Sequence, residues 1–190
     1  MITAILLAAG TSSRLGQPKQ LLPFRGRPLV RHIAETLLAT KVDELIVVLG
    51  HQAPKISQAL EGLPLKIVIN CDYHLGLSSS LKTGLAAQNS HSDGLLFALG
   101  DLPLLQSTTI NNIIQEFEQY GGIIVPYYQG TRGNPIIMDQ SYVQELSSLS
   151  GDVGARELLI RHHIAVRAIE IDDPGVLLDI DTPQDLCRLI

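Results

Sequence analysis

At 190 residues and 20.6 kDa the chain fits one ordinary domain, residues 1–190, and 45% hydrophobic against 17% charged residues excludes a disordered segment. Aromatic residues at 4%, no Trp and a net charge of −5 exclude an open nucleic-acid platform, which needs stacking rings and a wide basic stripe. No apolar run approaches the roughly 20 residues that span a bilayer, so no membrane association is expected.

Short, nearly continuous apolar runs alternate with longer amphipathic ones, the pattern of parallel strands covered by helices on both faces. Residues 2–7, 45–49, 67–69, 95–99 and 123–125 predict strands. Residues 28–40, 54–60, 79–88 and 108–120 predict the helices between them, with Pro28 and Pro54 suited to first turns. The period then breaks. Residues 130–134 carry turn chemistry, and 135–138 predict a strand that Pro135 can only begin. Helices are predicted over 139–149 and 153–162, and late strands over 166–169 and 176–178. A last helix is capped by Asp181 or Thr182, with Pro183 in its first turn. The fold class is an open α/β sheet, which binds ligands at the carboxyl ends of its strands.

Charge is distributed unevenly. Residues 1–34 hold Arg14, Lys19, Arg25, Arg27 and Arg31 with no acid, whereas residues 170–190 hold six acids against Arg188. A basic segment on an acidic chain points to a local anion site. Within it, LAAGTSSRLGQPKQLLP at 7–23 follows the first strand: small residues let backbone amides approach phosphate oxygens, and Arg14 and Lys19 supply charge. The spacing fits neither a Walker A loop nor GxGxxG. GDLPLL at 100–105 delivers Asp101 from a hydrophobic strand, where a carboxylate suits Mg2+; a turn cap is the other reading. In LLDIDTPQDL at 177–186, Asp179 and Asp181 share one face if extended, as metal ligands or, for Asp181, as a helix cap. The serines at 78–80 offer donors and acceptors to a base or ribose, or cap a helix, and GDVGAR at 151–156, with Arg156 just inside a helix, completes the site or simply pairs that Arg at the surface. Cys71 and Cys187 form no CxxC or zinc pattern, which fits a reducing, cytoplasmic setting.

These motifs together, with RGNPIIM at 132–138, resemble the nucleotidyltransferase family that contains molybdenum cofactor cytidylyltransferase and its guanylyltransferase relative. The resemblance covers nearly the whole chain in order. It implies a three-layer Rossmann-like fold with a mostly parallel sheet, and Mg2+-dependent attack of a molybdopterin phosphate on the α-phosphorus of CTP. By the same resemblance Ala8, Ala9 and Gly10 contact the nucleotide, Arg14 and Lys19 its phosphates, and Ser80 the base or ribose. Asp101 holds Mg2+ with Asp181 or Asp179 assisting. CTP and molybdopterin cofactor are the implied substrates, and a molybdoenzyme client or its chaperone the implied partner. The guanylyl-transferring relatives commonly carry Gly where this chain has Ala9, whose methyl narrows the pocket toward a pyrimidine. Two other readings stand beside this one: a cytidylyltransferase for a sugar or polyol phosphate, and a non-catalytic protein that binds and delivers a nucleotide or cofactor.

Overall fold

All five apolar runs form strands in a computed structural model, which describes residues 1–12, 15–151, 154–182 and 184–185. Strand β1, Ile2–Ala8, is buried at every position and lies at the middle of the sheet. It pairs in parallel with β4, Glu44–Leu49, on one side and β6, Gly94–Leu99, on the other, and β5, Lys66–Ile69, extends the sheet beyond β4. Its alternate residues feed two cores. Ala4, Leu6 and Ala8 face helices α1 (Leu29–Leu38), α2 (Ala53–Ala59) and α4 (Ser107–Tyr120), while Ile5, Leu7 and Ala9 face α3 (Leu77–Ala87), α5 (Val143–Ser148) and α6 (Arg156–Arg161). The result is the expected three-layer, mostly parallel α/β architecture.

Helix α4 shows why these segments coil: Ile110, Ile113, Ile114 and Phe117 recur at helical spacing on one stripe, and all are buried. Two small hairpins escape the apolar pattern because turn residues make them. Strands β2 (Pro23–Phe24) and β3 (Arg27–Pro28) are joined by Arg25 and Gly26 at φ 49° and 78°. Strands β7 (Ile123–Tyr128) and β8 (Thr131–Arg132) are joined by Gln129 and Gly130 at φ 49° and 74°, again the two-residue turn with both φ positive. The chain then enters β9, Ile136–Asp139, antiparallel between β6 and β7, and β10, Val166–Glu170, closes that side parallel to β7.

Four expectations need correction. Residues 176–178 form no strand: Pro174–Val176 is a 3-10 turn whose Gly175 N–H donates to Asp173 Oδ1 at 2.8 Å, and Val176 is buried through that turn. The helix predicted over 139–149 is a 3-10 turn, Gln140–Tyr142, followed by the shorter α5. The helix predicted over 153–162 begins at Arg156, and residue 153 lies outside the described residues. Pro28 precedes α1 with extended ψ of 138° because it pairs with Pro23 in the hairpin. At the far end, the Asp185 N–H donates to Thr182 Oγ1 at 3.3 Å and the Thr182 N–H to Asp185 Oδ2 at 2.8 Å. Thr182 and Asp185 thus hold each other's backbone N–H groups, and Pro183 lies outside the described residues.

Candidate active site

Beyond β1 the chain turns through Ala9, Gly10 and Thr11, and Gln20 holds that turn in place. Its side chain is 1% exposed, and Nε2 donates to the carbonyls of Ala8 at 3.1 Å and Gly10 at 3.2 Å. The Lys19 N–H donates to Ser12 Oγ at 3.0 Å, so the loop folds back and returns Lys19 beside the strand from which it left. Gly10, Lys19 and Gln20 line a cleft of about 620 Å³ at the carboxyl edge of the sheet.

The Lys19 ammonium lies between two carboxylates, 2.6 Å from Asp101 Oδ2 and 3.1 Å from Asp181 Oδ1. The Lys19 and Asp101 side chains are each 16% exposed, so this is a largely desolvated contact. Asp101 follows β6 through Gly100, where a Cβ would come within 3.1 Å of the Leu7 carbonyl. The Ile180 N–H donates to the Asp101 carbonyl at 3.0 Å, fixing the 179–181 segment against it. Asp101, Asp179 and Asp181 thereby bring one oxygen each within 4.8 Å of one another. Burial lowers the Lys19 pKa, but the charge of Asp101, with hydrogen bonds to Asp101 and Asp181, outweighs it and holds the ammonium above the usual lysine value. Burial, then the charges of Asp101 and Asp181, raises Asp179 above the ordinary carboxylate range.

A divalent cation fits this donor set. Three hard carboxylate oxygens converge, and Asp101 Oδ1 is buried without a hydrogen-bond partner. Lys19 occupies part of the same electrostatic niche, so cation and ammonium draw on the same two carboxylates.

The opposite wall comes from Tyr73, Leu77 and Ser80. Ser80 is 5% exposed and its Oγ accepts from Asn70 Nδ2 at 3.0 Å, while the same amide reaches Ser79 Oγ at 2.8 Å. Ala9 packs at the back of the wall: a Cβ on Gly50 would sit 2.9 Å from the Ala9 methyl and 2.7 Å from Tyr73 Cβ, so only Gly fits between them. Ala9, Gly10, Lys19, Ser80 and Asp101 therefore line one cleft, with Asp179 and Asp181 gathered at Asp101. Ala8 stands behind them at 2% exposure, its carbonyl held by Gln20. Arg14, Asp152 and Val153 lie outside the described residues. Gln20 and Asn70 are the residues that sequence reasoning passed over. A lone amide beside PK and another at a strand end are the signals that could have found them.

Residues 4–166 match the family described as MobA-like NTP transferase domain. The chain belongs to the MobA-like NTP transferase family. It is 30% identical to the molybdenum cofactor cytidylyltransferase of Escherichia coli (strain K12), over 97% of this chain and 93% of that one. It is 35% identical to the nicotine blue oxidoreductase of Paenarthrobacter nicotinovorans, over 100% and 96%. Among solved structures, the Rv0371c protein of Mycobacterium tuberculosis in complex with manganese superposes with a TM-score of 0.85 at 31% identity, covering 99% of this chain and 97% of that one. The Rossmann-like nucleotidyltransferase fold is shared with CMP:2-keto-3-deoxy-manno-octonic acid synthetase complexed with CTP, TM-score 0.79 at 17% identity, covering 99% and 96%. Among the described residues of this MobA-like chain, no helix is long and apolar enough to cross a membrane.

Proposed function

We propose that the chain, acting as one domain, transfers CMP from CTP to the phosphate of molybdopterin cofactor and releases pyrophosphate. The observation that carries this reading is the Lys19 ammonium held at 2.6 Å from Asp101 and 3.1 Å from Asp181 in a cleft at the sheet's carboxyl edge. Such a site neutralises phosphate charge, and positioning with neutralisation is most of what phosphoryl-type transfer requires. Asp101, with Asp181 or Asp179, would hold Mg2+, which would supply neutralising charge to the triphosphate when bound. Lys19, joined by Arg14 from the same loop, neutralises negative charge that builds on the departing pyrophosphate. Gln20 keeps the Ala8 and Gly10 carbonyls turned away, so the loop presents its amides to the triphosphate. Ser80 and the methyl of Ala9 bound the space left for the base. An acceptor phosphate oxygen attacks the α-phosphorus, a new P–O bond forms, and the bond to the bridging oxygen of the β-phosphate breaks. The acceptor is already ionised at neutral pH, so no general base is assigned.

The name of the E. coli relative supports molybdenum cofactor as acceptor; a molybdoenzyme or its chaperone in the cytoplasm is the recipient this reading proposes for the product. Pyrophosphate release measured with each nucleoside triphosphate, Mg2+ and Mo-molybdopterin tests the reading. Release with CTP and Mo-molybdopterin is expected; release only with a sugar or polyol phosphate moves the acceptor, and binding without release leaves a delivery protein. The nicotine blue oxidoreductase relative favours a second reading, oxidation–reduction in the same cleft. Consumption of a reduced nicotinamide nucleotide without pyrophosphate release would favour it, although a lysine clamped between carboxylates serves phosphate chemistry better than hydride transfer.

A further inference from the structure

A second, more apolar groove of about 1100 Å³ opens between the outer strands and α6, walled by Val125, Tyr127, Leu159 and Val166. The charged side chains that line it are Arg132 and Arg156, with His163 beside them, on a chain whose net charge is −5. These two arginines come from the RGNPIIM and GDVGAR motifs, to which the nucleotide cleft gives no work. Other described arginines have partners: Arg27 and Arg31 pair with Glu35, Arg161 with Glu145 and Glu157, and Arg25 and Arg167 lie over the rings of Phe24 and Tyr120. Among the described residues the side chains of Arg132 and Arg156 have no hydrogen bond, ion pair or ring contact. A guanidinium fork matches a phosphate or carboxylate in a bidentate way, and two unpaired forks over an apolar wall fit an organic anion.

The sheet register sets this groove beside the catalytic cleft. Leu96 and Ile124 both pair with Ile137, so Leu99 and Tyr127, each three residues further along strands running the same way, are level and two strand spacings, about 10 Å, apart. Leu99 lines the first cleft; Tyr127 lines the second and pairs with Arg132. A second link runs through the loop before α6. The Gly151 carbonyl accepts from Ser78 Oγ at 2.7 Å, and Gly154, where a Cβ would meet Leu77 Cδ2 at 2.8 Å, packs against a wall residue of the first cleft. Two residues later Arg156 enters the second groove.

We infer that this groove is the subsite for the body of the nucleotidyl acceptor, whose attacking phosphate lies in the first cleft: a flat anionic body lies against Tyr127, Leu159 and Val166 with its own negative charge on Arg132 and Arg156. The inference rests on the transferase reading and adds where its second substrate lies. Titration of the full chain with pterin-6-carboxylate, followed by the ligand's own fluorescence, tests it against neutral 6-methylpterin. Arg132→Gln and Arg156→Gln should each weaken pterin-6-carboxylate binding about tenfold, the size of a charge-assisted hydrogen bond. Mg2+–CTP affinity should stay at the wild-type value in both variants, which also shows that they fold. Undiminished pterin-6-carboxylate binding in the double variant, equal binding of 6-methylpterin, no binding by the wild type, or a parallel loss of CTP affinity each overturns the assignment. Pyrophosphate release separates the two readings. Release with an unchanged acceptor KM in the double variant removes the groove and leaves the transferase. Arginine-dependent binding without release from any nucleotide removes the transferase and leaves an organic-anion site.

Discussion

Lys19 holds two carboxylates at once, so its removal acts on both chemistry and stability. On the proposed function, Lys19→Ala should lose the ammonium that strengthens its grip on the leaving pyrophosphate, at a cost of about 2 to 4 kcal/mol in transition-state binding. The same change leaves Asp101 and Asp181 facing each other without a cation. The unliganded variant should therefore melt earlier than wild type, and should bind Mg2+ or Mn2+ several-fold more tightly in the absence of nucleotide, because the competing ammonium is absent. Calorimetric titration of the metal checks this; weaker metal binding in Lys19→Ala would show that the two cations do not share the carboxylates. Asp179 gives a pH test. An acid whose folded pKa is raised costs nothing below its unfolded value and its full penalty above its folded one, so stability is lost as pH rises through that range. Asp179→Asn should accordingly raise the unliganded Tm at neutral pH and give no gain near pH 3, below the ordinary Asp value of about 3.9. Lys19 gives the same sign of pH dependence from the opposite cause: its raised pKa stabilises below the ordinary lysine range, and that contribution disappears as pH climbs through the folded value. Gln20→Leu strips the hydrogen bonds from the Ala8 and Gly10 carbonyls and should cost about 1 to 3 kcal/mol in thermal unfolding while raising the nucleotide KM. Unchanged stability and KM would demote the clamp to a space-filler.

At the scale of elements, a short reciprocal pair anchors the chain beside Asp181. The Thr182 N–H donates to Asp185 Oδ2 and the Asp185 N–H to Thr182 Oγ1, next to the carboxylate that Lys19 reaches. Helix α3 is set by a contact as close: a Cβ on Gly84 would lie 2.5 Å from Ile5 Cγ2 and 3.1 Å from Val48 Cγ2. Gly84→Ala must push α3 off the sheet, at about 1 to 3 kcal/mol of stability, and carry Ser80 with it. A lowered Tm together with a raised CTP KM is the expected pair of results, whereas a lowered Tm alone would separate Ser80 from the nucleotide. The strands that were legible in the sequence are those buried on both faces, because nothing but a continuous apolar run can occupy such a position. Strand β9 reads the same whichever way it runs, and its antiparallel insertion between β6 and β7 follows from the Gln129-Gly130 turn, a tertiary consequence of two backbone angles. Residues 176–178 failed as a strand for the reverse reason. Apolar Val176 is buried, but Pro174 and the Asp173 cap bend the backbone into a 3-10 turn before it can pair.

Across the whole molecule, the parallel sheet gathers at one edge residues that are far apart in the chain. Lys19 meets Asp101 across 82 positions and Asp181 across 162, since β1 and β6 are neighbours and the 179–181 segment is hydrogen-bonded to Asp101. Residue types and motif order were enough to nominate Lys19, Asp101 and the Asp179–Asp181 pair. They could not show that Lys19 sits between the carboxylates, that one Asp101 oxygen is buried without a partner, or that Arg132 and Arg156 share a groove, because each depends on which strands lie side by side. The family likeness supports nucleotidyl transfer. The central claim is that a lysine clamped between Asp101 and Asp181 neutralises the phosphates of a nucleoside triphosphate during that transfer. Its most direct test is pyrophosphate release from CTP with Mg2+ and Mo-molybdopterin by the wild type and by a folded Lys19→Ala variant. Release by the wild type and a loss of roughly 30- to 1,000-fold in kcat/KM for the variant are expected; release by Lys19→Ala at the wild-type rate would contradict the assignment of Lys19 to the phosphates.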